Sequence, residues 1–157
     1  MNPILSAAVA AGLTLAAAPT LAQGGAAECL SMGGMGNYNY HADGRSGVAA
    51  MAGAFEGGVH FQQTSDFDEV GPDGRLEANF IHMFTTADGS MIRTEDRSWG
   101  YPVPGTDYIV GGGAYTVVEA TGRFAGFEGT FQSWGTFAPA KGQAVLRYEG
   151  EICRSAA

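Results

Sequence analysis

Asp96 and His82 are the two residues whose side chains could do more than pack. Asp96 shares a parity with Ile92, Thr94 and Ser98, while Arg93, Glu95 and Arg97 take the other. Successive side chains of a strand point to opposite faces, so the charged set takes water and Asp96 turns inward. His82 stands between Phe80 and Phe84 on the parity that also holds Leu76 and Ala78. A carboxylate kept in apolar surroundings can act as acid or base near neutral pH, and a neutral imidazole can relay the proton. Tyr148 adds a hydroxyl, facing in with Leu146 and Ile152 while Val145, Arg147, Glu149 and Glu151 face out. The candidate catalytic set is therefore Asp96, His82 and Tyr148. Phe80, Phe84, Tyr115 and Phe131 are the lining that would hold a ligand. Each has a plainer reading. Asp96 bonds the hydroxyl of Thr94 or Ser98, or a register slip turns it to water; His82 is a satisfied core histidine; the tyrosines are packing.

Other chemistries lack their residues. The chain has no G-x-S-x-G, P-loop, H-E-x-x-H or dinucleotide fingerprint, so no cofactor is expected. His41, His60 and His82 are scattered, with no spacing that marks a metal site, and none is expected. Asp66, Asp68, Glu69 and Asp73 miss the EF-hand pattern and read as a solvated loop. Sixteen acidic residues oppose eight basic ones, for a formal net charge of -8, and the only lysine is Lys141. Such a field repels polyanions, which excludes nucleic acid and anionic membrane surfaces as partners.

Residues 4–18 are uncharged and dominated by Ala, Leu, Ile and Val, and Thr20-Leu21-Ala22 before Gln23 supplies the small residues that a signal peptidase accepts. Residues 1–22 read as a secretory signal and 23–157 as the mature domain, with a secreted or periplasmic destination and no membrane insertion of the mature chain. In that compartment Cys29 and Cys153, near opposite ends of the domain, most simply form one disulfide.

What must position these side chains is a sheet. Runs of about ten residues rich in Phe, Tyr, Val, Ile and Thr alternate with turn signals, and no helical period is sustained. Gly71-Pro72-Asp73-Gly74, Ala87-Asp88-Gly89-Ser90 and Lys141-Gly142 are turns that bracket strands. The expected strands are 48–64, 75–86, 90–101, 108–118, 129–137 and 143–153, with a short one at 28–32. The rest of 24–46, rich in glycine, reads as irregular. Connections this short imply an antiparallel meander, and without helices to cover it a meander closes on itself. The expected fold is all-β, an antiparallel up-and-down β-barrel of about eight strands.

Thr121-Gly122-Arg123-Phe124-Ala125-Gly126-Phe127-Glu128-Gly129, preceded by Tyr115-Thr116-Val117-Val118, resembles the glycine-rich turn of the allene oxide cyclase and dirigent-like barrels. The likeness runs on through Gly135-Thr136 to Tyr148-Glu149-Gly150-Glu151-Ile152-Cys153, with Glu119-Ala120 where the family commonly has two glycines. In such a turn Phe124 can plug one end of a barrel and Arg123 can bond loop carbonyls. The resemblance implies an eight-stranded barrel, often trimeric, whose characterised members hold an apolar substrate in a cavity.

Two functions follow as expectations. In the first, an exported barrel binds a small hydrophobic molecule, with cofactor-free cyclisation or isomerisation as the chemistry within reach. In the second, side chains fill the interior and the domain is a non-catalytic envelope or interaction module. Trp99 and Trp134 fall on the outer parity and mark a wall for self-association, with the homotrimer as the implied state.

Overall fold

The computed structural model describes residues 27–70 and 72–154. The expected signal, 1–22, lies outside the described residues. The described residues form nine antiparallel strands: β1 (Glu28–Tyr40), β2 (Ser46–Gly53), β3 (Gly57–Gln63), β4 (Asp68–Val70), β5 (Arg75–Thr86), β6 (Met91–Pro102), β7 (Ile109–Ala120), β8 (Glu128–Ala138) and β9 (Gln143–Arg154). Neighbours follow the order β3-β2-β1-β9-β8-β7-β6-β5, and pairing of β3 with β5 closes an eight-stranded barrel. The short β4 lies outside the ring on the first residues of β5. Closure removes the free sheet edges that an open meander would leave exposed.

Two segments depart from the sequence reading. Glycine-rich 33–37 is not irregular but lies within β1, which pairs with β9 from Glu28↔Arg154 to Asn39↔Gln143. Its glycines serve close approach rather than freedom. A Cβ at Gly34 would fall on the Ala52 carbonyl and the Tyr148 ring, and one at Gly36 on Tyr38 and Met51. The expected single strand 48–64 is two strands, β2 and β3, because Gly53 and Gly57 take φ of 95° and 154° and reverse the chain around Phe55.

The parity assignments stand. Ala78, Phe80, His82 and Phe84 of β5, Ile92, Thr94 and Asp96 of β6, Phe131 and Ser133 of β8, and Leu146, Tyr148 and Ile152 of β9 are all buried. They meet at the centre, where Phe55, Phe61, Phe84 and Phe131 are each at most 1% exposed. Phe124 and Phe55 plug one end with ring centroids 5.9 Å apart, and an Arg123 guanidinium N–H donates to the Ala54 carbonyl at 3.2 Å. Cys29 and Cys153 face each other in register across β1 and β9, Cα–Cα 4.1 Å, and form the disulfide.

The β5–β6 turn fixes the register that the site depends on. The Thr86 hydroxyl donates to the Asp88 carboxylate at 2.5 Å, and the Ser90 amide donates to the same carboxylate at 3.0 Å. These bonds, the Thr86 one foremost, bring the Asp88 carboxyl down to about 2. Gly89, at φ 81°, completes the reversal.

Candidate functional site

Register along β5 and β6 sets His82 opposite Thr94 and Asp96 opposite Phe80, so the two ionisable side chains meet on a diagonal of the inner face. His82 Nδ1 and Asp96 Oδ2 share a hydrogen bond at 2.5 Å. The side chains are 5% and 0% exposed, which makes this a fully internal pair. The partner of Asp96 is thus His82, and not the hydroxyl of Thr94 or Ser98. The other carboxylate oxygen, Asp96 Oδ1, is buried without a hydrogen bond, as is Thr94 Oγ1.

Aromatic rings enclose the imidazole. It stacks between Phe61 and Phe84, with centroids at 5.6 and 5.7 Å, and takes the edges of Tyr115 at 5.0 Å and Tyr38 at 6.0 Å. Tyr115 also lies flat on Phe131, at 5.0 Å, and its hydroxyl accepts from Ser133 Oγ at 3.0 Å. The hydroxyls of Tyr38, Tyr115, Ser133 and Thr94 and the His82–Asp96 pair are polar groups within a largely apolar core. Tyr38 and Phe61 escaped the sequence reading because their strands did. Tyr38 lies in the glycine-rich stretch, and Phe61 shared a run with the residues of β2.

Tyr148 is elsewhere. Its hydroxyl donates to the Ala52 carbonyl at 2.9 Å and accepts the Phe55 amide at 3.1 Å, so it holds the β2–β3 hairpin and its plug in place. The structure gives it no bond to His82 or Asp96. The remaining site candidates, Phe80, Phe84, Tyr115 and Phe131, all surround or adjoin the pair.

Burial raises the phenols. Tyr40 is pushed up to about 12 by desolvation. Tyr38 and Tyr115 lie well above the ordinary tyrosine value through burial first, with the Asp96 carboxylate adding to both. Tyr148 is raised by burial as well. A group whose folded pKa exceeds its unfolded value, near 10 for tyrosine, contributes stability below that value and loses it as pH rises toward the folded pKa. Absorbance titration of the folded protein should therefore show these four of the six tyrosines silent near pH 10, while the urea-unfolded chain ionises all six there. Unfolding should become easier from about pH 10 upward. Normal ionisation of all six in the folded protein would contradict the packing described.

Buried side chains pack together at the centre of the barrel. At the mouth opposite the Phe124 plug, Tyr40, Phe67, Leu76, Phe80, Trp99, Ile109 and Phe137 line an almost wholly apolar depression. Its cavity volume is about 20 Å³, room for about one water. Its floor is Phe80, whose ring lies 6.2 Å from Phe67 above and 6.1 Å from His82 below. One side chain separates the depression from the buried pair.

Of the two tryptophans on the outer parity, Trp134 is exposed on the wall as expected while Trp99 is half-buried at the rim of the depression, and each has a guanidinium over its ring. Arg75 covers Trp99 at 5.4 Å and Arg147 covers Trp134 at 5.3 Å. Glu77, outward by parity yet 9% exposed, is clamped between Arg75 and Arg97 beneath β4. No family model, curated protein or solved structure matches this chain.

Proposed function

We propose that the protein is exported and binds a small apolar molecule at the mouth, with His82 and Asp96 beneath it as the polar groups the ligand meets. The observation that carries this reading is the His82–Asp96 pair itself, enclosed by rings, with Asp96 Oδ1 unsatisfied, one side chain below an apolar depression. A buried pair of ionisable groups is weak as a stabilising device, since desolvation offsets its attraction, and a carboxyl oxygen left without a partner adds to the cost. Groups of this kind collect at sites that use them. The depression is apolar with few polar groups below it, and its volume of about 20 Å³ is far short of a small-molecule site, so a ligand seats there only as side chains at the mouth move aside. Rotation of Phe80 would join it to the pair, and the chemistry then within reach is proton transfer to or from a positioned ligand without a cofactor.

A second reading, a non-catalytic envelope module, is favoured by the filled interior. The two part on one experiment. Protein purified from its own cells should release a lipophilic compound into organic solvent, identified by mass spectrometry, and Leu76→Arg should abolish the recovery. Equal recovery from that variant would place any lipophile elsewhere.

Export is supported by the Cys29–Cys153 disulfide and by the apolar leader. A homotrimer is proposed for the assembly, supported by the exposed Trp134, Val110 and Val145 on adjoining strands β8, β7 and β9. Light scattering should give three times the mass of the chain, and Trp134→Glu should return it to the monomer.

A further inference from the structure

Closure of the barrel leaves part of β1 paired on one side only. β1 pairs with β9 from Glu28 to Asn39, but its pairing with β2 begins only at Gly34↔Gly53. The β2–β3 hairpin turns back around Phe55, so residues 28–32 run on past it toward the plugged end with β9 as their one neighbour.

The bonds at either side of β1 show which backbone groups are left over. In an antiparallel ladder a residue directs its N–H and C=O to the same neighbour, and successive residues alternate. The Tyr40 amide donates to the Gly142 carbonyl, on the β9 side. The His41 amide donates to the Ser46 carbonyl and the Gly33 carbonyl accepts from the Ala54 amide, both on the β2 side. Odd-numbered residues of β1 therefore address β2. Cys29 and Ser31 aim their N–H and C=O groups at the place where β2 has ended, and no backbone partner meets them there among the described residues. A row of unpaired strand groups of this kind is a template for another strand.

Beside that edge there is room and a charge. A cleft of about 640 Å³ is bounded by Leu30 and Ser31 on the β1 side and by Glu56, Asp88 and Phe124 on the other, a volume in the range of ligand-binding clefts. Asp88 has Arg123 at 4.0 Å and Glu28 has Arg154 at 2.6 Å, whereas the exposed Glu56 makes no side-chain hydrogen bond or ion pair among the described residues. The paired charges cancel and the cleft keeps the negative charge of Glu56, which a cationic side chain would complement.

We propose that an extended peptide carrying a Lys or Arg adds as a strand to the free edge of β1 at Cys29 and Ser31, with its cation against Glu56. Main-chain bonds to the two residues supply the affinity, and alternate side chains of the peptide meet Leu30 and Phe124 in the cleft. The site lies at the plugged end, away from the mouth, and does not rest on the ligand proposed there.

The test titrates isotope-labelled protein, disulfide intact, with acetyl-Val-Thr-Val-Lys-amide and follows the backbone amides. Saturable shifts at Cys29, Ser31 and Glu56 are expected at one peptide per chain, with exchange protection gained at Cys29 and Ser31 and no shift at Leu76 or Trp99. Ser31→Pro removes an N–H that no bond of the barrel uses, a change that an outward-facing edge position tolerates. It should abolish binding while circular dichroism shows the barrel intact. The same peptide with its backbone amides N-methylated should fail to bind the native protein. Glu56→Gln should weaken binding about 5-fold. Binding that survives Ser31→Pro or N-methylation, or no saturable shift up to the solubility limit of the peptide, would overturn the proposal. Protection of Cys29 and Ser31 before any peptide is added would overturn it too, since a second copy or the chain's own N-terminal residues would then hold the edge.

Discussion

Replacing Cys29 and Cys153 together by alanine should lower stability by about 4 to 5 kcal/mol, read as a fall in the denaturant midpoint. The bridge joins residues 124 positions apart and so closes nearly the whole barrel into one loop. In the chain-entropy account, opening a loop of that size returns a large entropy to the unfolded state while the folded state changes little. The total stability of a domain of this kind is about 5 to 15 kcal/mol, so the loss is a large share of it. The bridge also sits where the barrel depends on it, between the first and last strands of the ring. The β1–β9 ladder should therefore be the first to show amide exchange in the variant. A midpoint shift worth less than about 1 kcal/mol would mean that the ladder alone holds the seam.

The second large effect concerns the buried pair and separates what it does for the fold from what it does for a ligand. Asp96→Ala leaves His82 enclosed by Phe61, Phe84, Tyr38 and Tyr115 with its partner gone, and should cost about 3 to 5 kcal/mol. Asp96→Asn keeps shape and an acceptor and should cost less, while removing any response to a ligand that needs the ionisable group. The double variant His82→Leu with Asp96→Val should recover most of the loss, since an apolar pair of fitting volume is often neutral or better than a buried ion pair. A double variant as stable as the native protein, or more so, marks a pair retained at a cost. If the double variant stays several kcal/mol less stable than the native protein, the pair exists for stability and the functional reading of Asp96 loses its basis.

Much of this was legible in the residues. Charge alternation in β6 and β9 separated the two faces, and the inward positions of Asp96, His82, Phe84 and Phe131 followed from parity alone. Parity does not say which inward residues touch. The contact between His82 and Asp96 needs the hairpin register, and that depends on the Thr86–Asp88–Ser90 bonds around Gly89. The residue types of that turn are the signal that would have paired them. Glycine misled in β1, because the same residue that frees an isolated loop also lets Tyr148 cross over Gly34 in a closed barrel. Phe55 was hidden for a related reason: the hairpin that carries it has no Asn-Gly or Asp-Gly signature, and only the two flanking glycines mark it. The approach of His41 to His60 spans three strands and leaves no trace in sequence spacing.

The claim that a small apolar molecule seats above Phe80 is tested most directly by Trp99, which lines the depression. Trp134→Phe leaves Trp99 as the sole tryptophan of the chain. Titration of that protein with a monoterpene alcohol should change Trp99 fluorescence saturably at one molecule per chain, and Leu76→Arg should abolish the change. A signal that stays flat to the solubility limit of the alcohol, or one that survives Leu76→Arg, would contradict the account.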